Sequence, residues 1–325
     1  MIVDVQHHFV PLELAERRGF ARGERRNLIE GGLPKLTLHD RLYDLDLQRR
    51  DMDAAGIDVA VLTCNLGWDA PLDDCRLIND RAAEIQRRSG GRFVALAHAP
   101  VLAEAGLREL ERAVRDLGLH GATIASQVDG RSLDAPELRA FYGAACALGA
   151  AVFVHPAQLP AGYAHMQEYD LARILGRELD LQVAVTRVIA GGVLDTFPDL
   201  RLVFAHFGGG IAAIRERLSA KSGRFGTLTR PFDESFERLY FDLAGFEGGP
   251  LALGSALDGI RHDRLLFATD YPQDFTGATT QSGKSPEAMR DYITLVGETA
   301  GSARDARAIL GETAAALFRV ASPPP

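Results

Sequence analysis

Eight short runs rich in β-branched and aromatic residues alternate with longer amphipathic stretches, and that alternation constrains the fold more than any other feature. The runs are IVDVQHHF (2–9), IDVAVLTC (57–64), RFVALAHA (92–99), LHGATIAS (119–126), AAVFVHP (150–156), LRLVFAHF (200–207), LYFDLA (239–244) and RLLFATD (264–270). Between them lie helical patterns such as PLDDCRLINDRAAEIQRR, EAGLRELERAVRDLG and APELRAFYGAACALG. The last two close on a glycine, the expected C-terminal stop. Strands alternating with helices imply βαβ units and a parallel sheet. Eight such units predict an α/β chain built as a (β/α)₈ barrel, a single domain over residues 1–325. A doubly wound open sheet is the alternative, weakened because no GxGxxG follows the first strand. The stretch 10–40 contains RRGFARGERRNLIEGGLPKLTLHD, shows no clear period, and reads as a long loop after strand one. Loops at that end of a barrel usually shape the active site.

Composition removes several function classes. Apolar residues make up 46% of the chain, enough for a large core, and the net charge of −8 is spread along the helices with no basic stripe. That pattern predicts no nucleic-acid partner. No apolar run approaches the roughly 20 residues of a membrane span, so no membrane association is expected. Cys64, Cys75 and Cys146 form no CxxC pair, and the N-terminus enters a strand without a basic leader. A reduced, cytoplasmic setting is expected.

Polar residues fall where the strands finish. Gln6 and His8 end the first run, His155 the fifth, His206 the sixth and Asp270 the eighth. In a parallel barrel these ends share one face, and imidazoles converging with a carboxylate make a transition-metal site, most naturally for Zn²⁺. A lone histidine at a strand end is more often a hydrogen-bonding residue; three with an aspartate at one end favour a site. Side chains alternate along a strand, so Asp4, Gln6 and His8 share one face and His7 points away to pack among the helices. His98, directly before an Ala-Pro pair, is kept as a substrate-side candidate. His120, His165 and His262 read as surface or loop residues. The glycines 208–210 read as a tight turn beside His206 rather than a phosphate cradle.

In this order and spacing, VDVQHHFVP, RRDMDAAGIDVAVLT, VFVHP, GGVLDTFPDLRLVFAHFGGG, LFATDYP and ILGETAAALF resemble the amidohydrolase superfamily. The resemblance is to its branch of metal-dependent decarboxylases typified by aminocarboxymuconate semialdehyde decarboxylase, and it covers nearly the whole chain. It implies a distorted TIM barrel, often a homodimer, with one divalent ion per chain, Zn²⁺ or alternatively Mn²⁺. It implies His8, His155 and Asp270 as metal ligands and His206 as the catalytic residue beside the ion, with Asp270 sharing in proton transfer. The family's first motif usually reads HxH or ExH; here it is QxH, so Gln6 stands at the first ligand position. An arginine upstream of the MD pair helps bind a substrate carboxylate in the family. His39 takes that place here with Arg41 close by, and Ala157 stands where a Trp can follow HP.

The activity these features predict is nonoxidative decarboxylation of a small unsaturated or aromatic carboxylic acid, without an organic cofactor. The carbanion left by departing CO₂ is the obstacle, and prior protonation of a conjugated carbon lowers it, with a metal polarising the substrate oxygens. His206 and Asp270 are placed to pass the proton. The rival readings are a metal-dependent hydrolase of a lactone, ester or amide, or a hydratase, on the same fold, and a barrel that has lost its metal and its catalysis. The loop 10–40 and the segment QDFTGATTQSGKSP after Asp270 are expected to decide the substrate.

Overall fold

A computed structural model describes residues 1–162, 164–226, 228–245, 249–273 and 285–321; most of the segment after Asp270 expected to set specificity lies outside them. Each of the eight β-rich runs holds a strand shorter than the run itself. These are β1 (Val3–Phe9), β4 (Val59–Cys64), β5 (Phe93–Ala95), β6 (Gly121–Ala125), β9 (Ala151–His155), β10 (Leu202–Phe204), β11 (Tyr240–Asp242) and β12 (Leu265–Leu266). All of their ladders are parallel, in a three-stranded sheet β1-β4-β5 and a five-stranded sheet β12-β11-β10-β9-β6. Every residue of β1, β4, β6 and β9 is buried, as parallel strands covered on both faces require.

Single bridges join the two sheets at both seams. Ala97 pairs with Ala122, its N–H donating to Gly121 O over 2.9 Å. At the other seam His7 pairs with Tyr271, and Val5 N donates to Phe267 O over 3.1 Å.

The stretch 10–40 is not irregular. It carries α1 (Leu12–Arg17) and an antiparallel hairpin of β2 (Arg26–Glu30) and β3 (Leu33–Leu38). The exposed positions of β2 give no clean alternation, which is why the period did not reveal a strand. A second small hairpin, β7 (Gln127–Val128) with β8 (Arg131–Ser132), follows β6.

Helices α2 (Leu45–Ala55), α3 (Leu72–Arg88), α4 (Glu104–Arg115), α5 (Arg139–Leu148) and α6 (Arg177–Ala190) fill the intervals. On α3, Cys75, Ile78, Asn79, Ala82 and Ala83 are buried, the spacing of one helical face. Asp44 caps α2 by accepting from Leu47 N at 2.9 Å, and Gly56 closes it at φ 83°. Gly149 ends α5 in the same left-handed way, whereas α4 stops at Arg115, before its glycine. No helix among the described residues is long and apolar enough to cross a membrane.

Candidate active site

Parallel strands put their C-terminal ends on one face, and His8, His155, His206 and Asp270 meet there. A cavity of about 300 Å³ is lined by His155, His206, Asp270, Glu178, Arg177 and Lys35 among others. One donor atom each from His8, His155 and Asp270 lies within 4.8 Å of the others. His8 Nε2 stands 2.7 Å from Asp270 Oδ1. Both histidines are buried, and desolvation, with His8 adding, holds the His155 imidazole well below its usual pKa. A neutral imidazole is the form a metal takes. His155 Nδ1 donates to Pro156 O over 2.7 Å, leaving the Nε2 lone pair bare. His8 Nδ1 lies 2.8 Å from Thr63 Oγ1, a hydroxyl able to donate or accept. Two oriented imidazoles and a carboxylate fit a divalent transition ion, with the outer partners that such ligands need.

Gln6 and His8 do share a face, and His7 does point away. His7 stacks on Tyr271 at 4.6 Å and faces Phe93 at 6.3 Å, rather than meeting helices alone. Asp4 departs from the expectation. Its Oδ2 lies 2.9 Å from His7 Nδ1 and accepts from Thr269 Oγ1 at 2.6 Å, so it sits apart from the Gln6 and His8 cluster. The cause is a bulge: β1 pairs Asp4 with Ala60 but His7 with Leu62, three steps against two, and the alternation breaks between them.

His206 and Asp270 lie beyond their strands, not at their last residues. Both adopt positive φ, 53° and 59°, so each is turned by the chain out of the ladder and over the strand ends. The His206 backbone N–H donates to Asp242 Oδ1 at 2.8 Å, and Thr269 N donates to Asp4 Oδ1 at 3.0 Å. Burial pushes the Asp242 carboxyl up to about 7. Burial alone would lower the His206 pKa, but the Glu178 carboxylate, 2.7 Å from Nδ1, together with Asp270 and Asp242, carries it to about 9.

The Gln6 side chain bridges the two groups, its Nε2 lying 2.9 Å from Asp270 Oδ1 and 3.1 Å from His206 Nε2. A carboxylate only accepts, so the amide nitrogen must face Asp270. Gln6 Oε1 is buried without a hydrogen-bond partner among the described residues. The amide nitrogen donates to the Asp270 carboxylate and, when His206 Nε2 carries no hydrogen, to that ring nitrogen as well.

The structure does not bring His39, Arg41 or His98 to the wall of this cavity. Arg41 Nε donates to Asp51 Oδ2 at 3.1 Å. His39 is buried, and desolvation with the Arg25 and Arg41 cations lowers its pKa to about 4. His98 is wholly buried; its Nε2 accepts from Cys64 N, and Asn79 holds its backbone on both sides. Sequence reasoning missed Glu178, Asp242, Thr63 and Trp68. Trp68 stacks on His155 at 3.8 Å and donates through Nε1 to Thr123 Oγ1. Asp242, the last residue of β11, and Thr63, next to the end of β4, had a signal of position; Glu178 and Trp68 had none.

The amidohydrolase family profile matches residues 3–320. The chain belongs to the amidohydrolase family. Among its curated relatives is a 2-amino-3-carboxymuconate-6-semialdehyde decarboxylase of Dictyostelium discoideum, 33% identical over 51% of this amidohydrolase and 48% of that protein, about half its length. A gamma-resorcylate decarboxylase of Rhizobium radiobacter is 28% identical over 86% of this chain and 92% of its own. A 5-carboxyvanillate decarboxylase of Novosphingobium aromaticivorans, solved with bound manganese and a nitrobenzoic acid, superposes with a TM-score of 0.80. It is 22% identical, covers 98% of this amidohydrolase and 97% of that chain, and speaks to the fold. The decarboxylase branch that the motifs resemble is the one in which these relatives lie.

Proposed function

We propose that this amidohydrolase is a metal-dependent nonoxidative decarboxylase of a small aromatic or unsaturated carboxylic acid. The observation that carries the reading is the convergence of His8, His155 and Asp270 at a cavity that His155, Asp270, His206 and Arg177 line. The two bridged seams support one closed (β/α)₈ barrel, spanning 1–325 as a single domain. His8, His155 and Asp270 would hold one divalent ion, Zn²⁺ by the softness of two imidazoles, with Mn²⁺ the alternative and Gln6 at the edge of the set. The ion, when bound, supplies Lewis acidity that orients and polarises the substrate oxygens.

The chain's own residues supply the rest. Arg177, in the cavity wall, is the cation proposed to meet the substrate carboxylate; Lys35 beside it is already paired with Glu30 and Asp69. Glu178 accepts from His206 Nδ1–H, which leaves Nε2 as the atom that delivers a proton to the ring carbon bearing the carboxylate. Asp270, hydrogen-bonded through Gln6 to the same region, is the second proton-handling group. The C–C bond then breaks, its electron pair returns to the ring, and CO₂ leaves. Three cysteines without disulfides fit a reducing, cytoplasmic compartment, and a homodimer is the assembly proposed, to be tested by light scattering.

Incubation with 2,6-dihydroxybenzoate and 5-carboxyvanillate in deuterated water is expected to release CO₂ and leave deuterium on the vacated carbon. Solvent ¹⁸O entering an acid product from ester or lactone probes, with no CO₂ from any acid, would establish the hydrolase instead.

A further inference from the structure

We propose that Glu178 is a positioning residue for His206, and that the glycine turn after His206 is packed onto α6 to bring the two together. The proposal rests on the reading of His206 as the proton-carrying group.

Sterics fix where the imidazole lies. A Cβ on Gly245 would stand 2.3 Å from His206 Cγ and 2.4 Å from Nδ1, so the ring is pressed flat against that backbone. Its own backbone is strained and pinned, at φ 53° with the N–H held by Asp242. What sterics leave open is which ring nitrogen is held as a fixed donor. Glu178, in the first turn of α6, decides it. Its Oε1 lies 2.7 Å from Nδ1, and a carboxylate can only accept, so Nδ1 carries a hydrogen in either protonation state and Nε2 is the nitrogen turned toward Gln6 and Asp270.

The reach of Glu178 depends on backbone contact. Phe207, Gly208 and Gly209 continue the left-handed path at φ 55°, 61° and 71°. A Cβ on Gly209 would lie 2.0 Å from Glu178 O and 2.9 Å from Glu178 C. Both obstacles are main chain of the residue whose side chain holds His206, so no rotamer relieves them. Gln182, one turn further along α6, donates to Gly209 O at 2.7 Å and fastens the contact. The glycine therefore does two things: it permits the turn, and it lets α6 stand close enough for Glu178 to bond Nδ1.

The test uses the Zn²⁺-loaded protein labelled with ¹⁵N-histidine, with the His206 signals identified by their loss in His206→Gln. In the wild type, Nδ1 is expected to carry a hydrogen held by Glu178. Glu178→Ala should shift or abolish the Nδ1–H signal. Glu178→Gln should keep it, because an amide oxygen accepts the same bond. Gly209→Ala, which removes no polar side chain but forces Glu178 away, should reproduce Glu178→Ala in part. Metal content should stay that of the wild type in all three. With 2,6-dihydroxybenzoate as the probe, kcat should fall by about 10²-fold in Glu178→Ala with KM little changed, the scale of a misplaced catalytic group, and recover partly in Glu178→Gln. An unchanged His206 Nδ1–H signal in Glu178→Ala would overturn the proposal. A wild type that turns over no acid probe overturns the decarboxylase reading, and leaves the spectroscopic arm to judge Glu178 alone.

Discussion

Half of the candidate site is carried by strands and half by turns, and the two halves are held by different forces. Gln6, His8 and His155 lie within β1 and β9, where ladder bonds set each Cα and a two-residue period aims each side chain. His206 and Asp270 lie past β10 and β12, at positive φ, a conformation that costs a non-glycine residue of order 1 kcal/mol. Ladder bonds reach their neighbours Ala205 and Tyr271, and carboxylates hold the turns themselves: Asp242 on His206 N, Glu178 on Nδ1, and Asp4 on Thr269 N and Oγ1 beside Asp270. Strands thus supply rigid donors, while turns supply groups whose aim depends on a few specific acceptors.

The largest effects should fall on the strand half. His155→Ala removes a donor that nothing nearby replaces, and is expected to lose the ion and with it all measurable turnover; elemental analysis alongside CO₂ release checks both. Retained stoichiometric metal would break the assignment. His206→Ala should separate the halves. Turnover is expected to drop by about 10²–10⁴, the usual worth of a general acid or base, with metal content unchanged. Loss of the ion in that variant would mean that the turn half coordinates too.

The same contrast explains what could be read from the chain alone. Repetition is legible: the eight runs each contained a strand, and the period put Gln6 with His8 and His7 opposite. A single inserted residue is not. The bulge between Asp4 and His7 moved Asp4 to the Thr269 turn, and no local signal announces it. Glu178 was illegible for a related reason. It is one acid among many on helices, its partner is 28 residues away, and its relevance comes from a turn that lets two backbones touch. His98 misled in the opposite direction, since it sits at a strand end yet serves as a buried acceptor for Cys64 N.

That role gives His98 a measurable pH signature. Desolvation drives its pKa from 6.5 to about 3, with the Gly67 backbone pulling weakly the other way and His8 adding to the fall. The folded value lies below the unfolded one, so the unfolded chain takes the proton first. The contribution is therefore present above pH 6.5 and lost as pH falls toward 3. Between pH 7 and pH 5 the loss from this one group is about 2 kcal/mol. His98→Gln keeps an acceptor for Cys64 N and removes the titration. Denaturant melts of both proteins isolate it, because the contributions of Asp242 and the other acids cancel in the difference. Equal pH slopes would show that His98 is already solvated.

Gln6 belongs to both halves, which makes it the finest probe of the comparison. It is aimed by β1, yet its amide nitrogen spends its hydrogens on Asp270 and His206, and its oxygen has no partner among the described residues. An amide oxygen is a weaker donor to a transition ion than an imidazole. Gln6→His should therefore tighten metal retention, by less than about tenfold, or ~1.4 kcal/mol. Turnover should fall in the same variant, because His206 Nε2 and Asp270 lose the amide nitrogen that bridges them. Gln6→Ala should leave the affinity nearly unchanged while freeing Asp270, and so lower turnover without tightening the ion. Metal titrations with 2,6-dihydroxybenzoate turnover on the three proteins distinguish the outcomes. Equal affinities and equal rates would mean that Gln6 only fills space, and that the strand and turn halves are coupled through His8 and Asp270 alone.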